Sequence, residues 1–295
     1  MSSNFEEDEM IDEKVEELLD TFRTPFWLNE HGWFVRCQWH PTMSNFDLYT
    51  LPYAFSDITL KYPLLFKSTY PQNNHQQVYD TVRCLRYNDE TENRSEKSDI
   101  RFHKLEKLEV QLPVGEYFWS MVPTLNHLTS CEITSYDNSE ECQNQFQFLL
   151  SRAPSLSFLN IRHAEKDDSI ESVPLEISNR LRRQLDLQEI GGSFDEKLCI
   201  IFSHSPLAIQ CEELHIRVKN RISIYYLVKT MLCLRILFVK CDDDERQRRS
   251  LQEDGKEQEK STEDEFVSWL QQHLSGVRSM VRICRWRYTI VLKFS

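Results

Sequence analysis

The segment 211–241 constrains the fold of this chain more than any other. It reads as a strand (211–218), a helix (221–232) and a second strand (234–239). Both strands place apolar or small residues at their first, fourth and sixth positions, numbered here positions 1, 4 and 6: Cys211, Leu214 and Ile216, then Leu234, Leu237 and Val239. Two strands that share one register of apolar positions across a helix are expected to pair in parallel and to bury the same face.

The same spacing recurs upstream. Units begin at Val82, Leu105, Leu128, Leu156, Arg182, Cys211 and Leu234, where Arg182 is a degenerate first position. The intervals of 23, 23, 28, 26, 29 and 23 residues fall within the roughly 20–29 residues of leucine-rich repeats. One such unit cannot bury its apolar face alone, so neighbours must stack. The sequence therefore predicts the α/β class: an irregular leucine-rich-repeat-like solenoid, with parallel strands on the concave face, helices on the convex face and terminal caps.

Composition divides the chain further. We expect a disordered acidic N-terminus over 1–10, then an N-terminal helix and an aromatic strand pair over 11–80. The repeat-like units occupy 81–241, a disordered acidic loop follows over 242–264, and a cap helix with strands closes the chain over 265–295. Helices are predicted between the strands at 116–122, 140–152, 195–203 and 221–232, and in the cap at 262–274.

Charge is concentrated in two segments. The net charge is −12, yet residues 1–20 alone carry nine acids against Lys14, and residues 241–265 carry eleven acids against five basic residues. The remaining chain is close to neutral, and a concentrated basic face of the kind that binds nucleic acid is lacking. We predict no nucleic-acid partner.

Cysteine usage and hydropathy indicate a compartment. The nine cysteines are scattered, with no C-x-x-C pair, so free thiols in a reducing compartment are expected. The N-terminus has no apolar core of a signal peptide, and no apolar run approaches 18 residues. We expect a cytoplasmic or nuclear protein with no membrane partner.

Motifs for catalysis or cofactor binding do not stand out. Six glycines are few for 295 residues, and no phosphate-binding loop, nucleophile elbow, H-E-x-x-H or kinase motif occurs. We predict no catalytic residues, cofactor or metal. An α/β enzyme remains a remote alternative, which would need polar groups converging at the strand ends.

The predicted functional surface is the concave face of the sheet. Because side chains alternate along a strand, positions 3, 5 and 7 point away from the core of positions 4 and 6. This places on one face Arg86, Lys107, Glu109, Glu132, Phe158, Asn160, Arg162, Asp186, Glu213, His215, Arg217 and Phe238, together with Ile236 and Lys240. Aromatic groups among charges suit protein recognition. The alternative is that a loop or the terminal cap covers some of these residues.

Several segments carry a family resemblance. Near the start they are VEELLDTFRTPFWLNEHGWFVRCQWHP and LYTLPYAF; further on they are FWSMVPTLNHL, LLSRAPSLSFL, QLDLQEI, SPLAIQCEELHI, LVKTMLCLRILFVKC and FVSWLQQHL. In this order, over most of 15–275, the chain resembles an expanded invertebrate family of F-box-type proteins with leucine-rich-repeat-like C-terminal regions. The resemblance implies target recognition for a cullin-RING ubiquitin ligase, with an F-box helical segment that docks the ligase adaptor.

The chain departs from that family at one point. The F-box pattern of Leu-Pro, Glu-Ile-Leu and an apolar helix does not occur in the sequence, so no residue is assigned to ligase docking. Residues 1–23 resemble the middle of such a protein, and we expect a truncated copy or an incomplete gene model. The first hypothesis is a non-catalytic protein-binding module, the recognition part of an F-box-type adaptor. The second is a free-standing scaffold or decoy.

Overall fold

The structure is a computed structural model, and it describes residues 3–39, 46–62, 65–71, 78–89, 100–135, 139–163, 183–243, 268–274, 280–286 and 289–294. The chain is α/β, with helices and a mostly parallel sheet. It divides into two compact units, residues 1–128 and 129–295. The division falls inside the segment predicted to be one repeat region.

Unit 1 begins with helix α1, Ser3–Asp20. The helix thus begins within residues 1–10, for which the sequence predicts disorder. Acidic residues near a helix N-terminus interact favourably with the helix dipole, and Glu and Met are good helix formers, so this segment extends the helix expected from residue 11. Val15 and Leu19 of α1 pack in a core cluster with Val35, Cys37 and Trp39.

An antiparallel sheet follows α1. After one π-helical turn at Phe26–Glu30, strand β1 (Phe34–Trp39) pairs with β2 (Phe46–Leu51) on one side and β4 (Leu65–Ser68) on the other. Strands β1 and β2 lie in the segment where the aromatic strand pair is predicted, and β4 is a third strand of this sheet. Both faces of β1 are buried, since Arg36 and Gln38 are as enclosed as Val35 and Cys37.

The parallel strands of unit 1 are β3 (Asp57–Tyr62), β5 (Cys84–Asp89) and β6 (Lys107–Leu112), paired in the order β3-β5-β6. Strand β3 was not predicted as a repeat strand, yet it carries the same spacing: Ile58 and Leu60 are buried and pair with Leu85 and Tyr87. Helix α2, Glu116–Met121, covers this buried side, since the ring of Phe118 lies 4.9 Å from that of Tyr87.

Unit 2 contains five parallel strands in sequence order. They are β7 (Ser130–Ser135), β8 (Phe158–His163), β9 (Gln184–Glu189), β10 (Glu213–Val218) and β11 (Ile236–Cys241). Each strand falls where a repeat strand was predicted. The position-4 residues are buried and in register from strand to strand: Cys131 with Leu159, Leu159 with Leu185, Leu185 with Leu214, and Leu214 with Leu237.

The helices of unit 2 connect successive strands and begin at side-chain caps. They are α3 (Glu140–Ser151), α4 (Glu196–Ser203), α5 (Pro206–Ile209) and α6 (Arg221–Thr230). Side chains of Ser139, Asp195 and Asn220 accept hydrogen bonds from the first-turn N–H groups of α3, α4 and α6, which satisfies donors that a helix start leaves free. Only the single turn α5 was not predicted.

A hairpin ends the sheet of unit 2. Strand β12 (Met280–Trp286) pairs antiparallel with β13 (Thr289–Phe294), and β13 pairs antiparallel with β11. These strands lie within residues 265–295, where terminal cap strands are predicted. Residues 268–274 are helical, within the predicted cap helix. The acidic loop predicted over 242–264 lies outside the described residues beyond Asp243.

Within the part of the chain that the structure describes, none of the helices has the length and apolar character needed to cross a bilayer.

Candidate functional site: the polar sheet face

The residues predicted to line the sheet do share one face in unit 2. We call this surface, formed by positions 3, 5 and 7 of β7–β11, the polar sheet face. Position 5 forms one continuous row across it. In register, this row is Glu132, Asn160, Asp186, His215, Phe238 and Val291, the last contributed by β13. Parallel register therefore brings together residues from 132 to 291 of the sequence.

Three predicted residues belong to unit 1. Arg86 and Glu109 are in register on β5 and β6, and their Nε and Oε2 atoms lie 3.3 Å apart. Lys107 is exposed on the same strand as Glu109. The pKa of nearby Asp57 is lowered, first by the hydrogen bond from the Ser56 hydroxyl and then by that from Cys84. Arg86, Lys107 and Glu109 are all exposed charged residues, as expected for positions 3 and 5.

Arg162 lies between two carboxylates on the polar sheet face. Its Nη1 is 2.7 Å from Oε1 of Glu132, and its Nε is 3.2 Å from Oε2 of Glu189. Sequence reasoning missed Glu189 because the pairing of β8 with β9 shifts register after Asn160, which places Glu189 opposite Arg162. A shift of this kind leaves no simple periodic signal in the sequence.

His215 sits at the centre of a second cluster. Its Nε2 is 2.9 Å from Oε1 of Glu213, and its Nδ1 is 3.6 Å from Oδ2 of Asp186. The imidazole also stacks on the ring of Phe238, with centroids 4.1 Å apart and planes at 29°. Gln184, at position 3 of β9, approaches His215 Nε2 at 3.5 Å. Strand alternation could have identified Gln184, which the degenerate repeat at Arg182 obscured.

Arg217 and Asp242 form a third pair at the end of the strands. Arg217 Nε donates to Asp242 Oδ1 at 2.7 Å. Asp242 was assigned to the acidic loop, but its side chain is only 13% exposed. The predicted polar surface is thus organised into ion pairs between neighbouring strands.

Asn160 is the most enclosed member of the predicted set, with only 6% of its surface exposed. Its Nδ2 donates to Oε2 of Glu132 at 3.3 Å. Its Oδ1 is buried and has no hydrogen-bond partner among the described residues. A buried carbonyl oxygen without a donor is uncommon in folded proteins and costs free energy.

A second polar cluster, in unit 1, was not anticipated. Arg36 on β1 is 2% exposed; its Nη1 donates to the Tyr79 hydroxyl at 2.9 Å, and its guanidinium lies 4.4 Å from the Phe66 ring centroid. Burial raises the pKa of Tyr79 and of Tyr49, whose hydroxyls are 3.2 Å apart, although the nearby cation acts in the opposite direction. Strand alternation alone would place Arg36 on the face opposite Val35 and Cys37, and both of these faces of β1 are buried.

Two of the three tryptophans near the start are in contact, since the rings of Trp27 and Trp33 lie 5.6 Å apart, edge to face. Trp39 is buried, Trp27 packs partly against the core around α1, and Trp33 is exposed and stacks on His31 at 4.3 Å. In the described part of the chain, no group of three or more His, Cys, Asp or Glu side chains is placed to hold a metal ion.

No protein-family model matches this chain, and no curated protein matches it significantly.

Proposed function

We propose that this chain is a non-catalytic protein-binding module built as an irregular leucine-rich-repeat-like solenoid, and that it serves as the target-recognition part of an F-box-type ubiquitin-ligase adaptor. The polar sheet face is its binding surface. The ligase role rests on the family resemblance, and the binding role rests on the geometry of the sheet.

The repeat architecture is supported by backbone contacts as well as by spacing. At the entry to a strand, two successive N–H groups donate to one carbonyl of the preceding unit. Glu106 and Lys107 donate to Arg83, and in unit 2 the same contact recurs at β8, where Ser157 and Phe158 donate to Thr129, and again at β10 and β11. There Glu212 and Glu213 donate to Arg183, and Arg235 and Ile236 donate to Glu212. A contact that recurs at equivalent positions is typical of stacked structural repeats.

One observation carries the binding role: the continuous position-5 row on the polar sheet face. Its carboxylates, amide, imidazole and phenyl ring come from different strands, and its aromatic member Phe238 is partly exposed beside charged groups. Aromatic anchors surrounded by polar groups are characteristic of protein-recognition surfaces.

The test is proximity labelling in cells with two matched double variants. Glu213→Lys with Phe238→Ala alters the polar sheet face, and Lys197→Glu with Ile201→Ala makes an equivalent change at exposed positions of α4. We expect a set of labelled proteins that is lost with the first variant and retained with the second.

The same experiment separates the two versions of the function. Labelling of the ligase adaptor and cullin by all three proteins supports the F-box role. Variant-sensitive partners without adaptor or cullin support a free-standing scaffold or decoy. Labelling that is insensitive to the polar sheet face contradicts the binding role.

A further inference from the structure

We infer that the outer face of helices α4 and α6 in unit 2 is a second docking site, which binds an acidic amphipathic helix of a partner protein. The residues that form it, here called the helix groove, are Lys197, Ile200 and Ile201 of α4 and Ile222, Tyr226 and Lys229 of α6. They lie on the helical side of the sheet. The inference therefore goes beyond the binding role of the polar sheet face and does not depend on it.

The well-exposed large apolar side chains of unit 2 are concentrated on the helical side of the sheet. Among the described residues they lie on α3, α4, α5 and α6 or in the turn after α6: Phe148, Ile200, Ile201, Ile209, Ile222 and Leu232. On the polar sheet face, by contrast, the rings of Phe158 and Phe238 are only partly exposed. Exposed apolar side chains that cluster on one surface are typical of interaction sites.

Helix α4 is apolar on its outer side as well as on its inner side. The five successive residues Leu198–Phe202 are all apolar, and at 3.6 residues per turn they surround the helix. Cys199 and Phe202 are buried, whereas Ile200 and Ile201 between them are 38% and 57% exposed. A surface helix normally presents polar residues to water, and a helix that is apolar all round is normally covered. The outer side of α4 thus has the composition of a contact surface.

Helix α6 lies beside α4 and extends this surface. The two helices pack together, and Asn220 Nδ2, at the start of α6, donates to Glu196 Oε1 at 3.3 Å. Ile222, Tyr226 and Lys229 are spaced at i, i+4 and i+7, which places them on one side of α6. Ile222 is 47% exposed. Two helices that lie side by side leave between them a groove in which a third helix can pack.

Charge favours an acidic occupant. Together α4 and α6 carry three basic residues, Lys197, Arg221 and Lys229, against Glu196, in a chain whose net charge is −12. Glu196 already accepts a hydrogen bond from the start of α6. Lys229 Nζ lies 5.6 Å from the centroid of the Tyr225 ring, and among the described residues neither Lys197 nor Lys229 pairs with a carboxylate. Carboxylates beside the apolar residues of a partner would pair with these lysines, and a basic partner would be repelled.

The dimensions favour a helix over a membrane surface. Helices α4 and α6 are 8 and 10 residues long, or roughly 12–15 Å. Apolar residues at i, i+3 or i+4 and i+7 of a partner helix span such a length and can contact both α4 and α6. A few basic residues attract an anionic bilayer only weakly.

The experiment selects a displayed library of helix-stabilised peptides on the full chain, each about fourteen residues long with one side of the helix randomised. We expect the enriched peptides to share an apolar stripe flanked by Asp or Glu. Replacing these acids by Asn or Gln should lower affinity at least tenfold at low salt, as measured by fluorescence anisotropy. Equal affinity without the acids would overturn the choice of an acidic partner.

A pair of charge variants ties binding to the helix groove. Lys197→Glu with Lys229→Glu should weaken the peptides at least tenfold. The matched control is Lys240→Glu with Lys293→Glu, which makes the same change of charge on the strands β11 and β13. The control should leave affinity within twofold. Equal losses for the two double variants would show only a long-range effect of net charge and would overturn the groove.

A pair of apolar positions tests the surface itself. Ile222→Asp should weaken binding at least tenfold, whereas Phe148→Asp on α3 should leave affinity within twofold; the two side chains are 47% and 48% exposed. Both variants should keep a melting temperature close to that of the original chain, because exposed substitutions change stability little. A clear loss of thermal stability with Ile222→Asp would show that this side chain is covered in the free chain, and would overturn the groove.

The outcomes separate this inference from the proposed function. Peptides that bind the groove variants as tightly as the original chain would overturn the groove, and the polar sheet face would be unaffected. A selection that enriches no acidic helical peptide would overturn it as well, as would phosphatidylserine vesicles that bind through Ile222 in place of any peptide. If Glu213→Lys with Phe238→Ala removes no partner in cells while the groove variants still lose the peptides, the proposed function fails and the helix groove remains.

Discussion

Because side chains alternate between the two faces of each strand in unit 2, substitutions at neighbouring residues should change the free energy of unfolding by different amounts. Leu214 is fully buried and in register with Leu185 and Leu237, while Glu213 beside it reaches the polar sheet face. We expect Leu214→Ala to lower the free energy of unfolding by about 2–5 kcal/mol. Glu213→Gln should change it by less than about 0.5 kcal/mol. Urea denaturation followed by circular dichroism measures both, and equal shifts would contradict the assignment of the two faces.

The buried Arg36 depends on the Tyr79 hydroxyl. This bond is 2.9 Å long and joins two side chains that are almost fully enclosed. Removing one partner of a charged hydrogen bond costs about 1.5–3 kcal/mol, so Tyr79→Phe should lower the thermal midpoint measurably. Tyr53→Phe is the matched control, because its hydroxyl donates to the Asp57 carbonyl in an exposed position. A larger loss for the control would show that Arg36 does not need Tyr79.

At the scale of elements, helix α1 is held by two kinds of contact. Leu19 is buried in the core cluster with Trp39, and Lys67 of β4 pairs with Asp12 and Glu16 of α1 at 2.7 and 3.1 Å. We expect Leu19→Ala to cost about 2–5 kcal/mol, whereas Lys67→Met should cost less than about 1 kcal/mol, since the ion pairs are largely solvated. Chemical denaturation measures the free energy of unfolding of both variants. A larger loss for Lys67→Met than for Leu19→Ala would contradict the expectation that the core contact dominates.

The same helix should respond to pH. The hydrogen bond from Arg23, and then that from Lys67, holds the pKa of Glu16 below its ordinary value of 4.5. A carboxyl with a lowered folded-state pKa stabilises the fold above its unfolded pKa, and this contribution is lost as pH falls through the folded value. Hydrogen exchange in α1 should therefore rise as pH decreases below about 4.5, after correction for intrinsic exchange. Glu16→Gln should weaken the pH dependence of hydrogen exchange in α1. A variant with the same pH dependence as the original chain would contradict this role of Glu16.

Elements were predictable to the extent that each has one buried face. Strands β5–β11 follow from the spacing of positions 1, 4 and 6, because those residues are buried wherever the structure describes them. Strand β3 carries the same spacing in Phe55, Ile58 and Leu60, but it lies within residues 11–80, which were assigned to an N-terminal helix and strand pair and not to the repeats. The contacts of Glu189 and Arg36 depend on a register shift and on cover from other strands. Neither is encoded in local periodicity.

At the scale of the whole molecule, the labelling rates of buried thiols show how far the destabilisation caused by one substitution extends. Burial raises the pKa of Cys37 to about 11 and those of Cys199 and Cys211 to about 12, and it raises that of Cys131 further. A protonated, enclosed thiol reacts slowly. Among the cysteines with described side chains, the exposed Cys233 should therefore react first with iodoacetamide at pH 8.

Leu214→Ala should expose these thiols in an order set by distance along the repeats. If each unit is stabilised mainly by its neighbours, as the proposed solenoid requires, the loss at β10 weakens adjacent contacts first. Cys211, which enters β10, and Cys199 of α4 should label faster than in the original chain, while Cys131 on β7, three strands away, should change least. Mass spectrometry of timed labelling resolves each site. Uniform acceleration across unit 2 would instead indicate one cooperative core, and the nearest-neighbour description would fail.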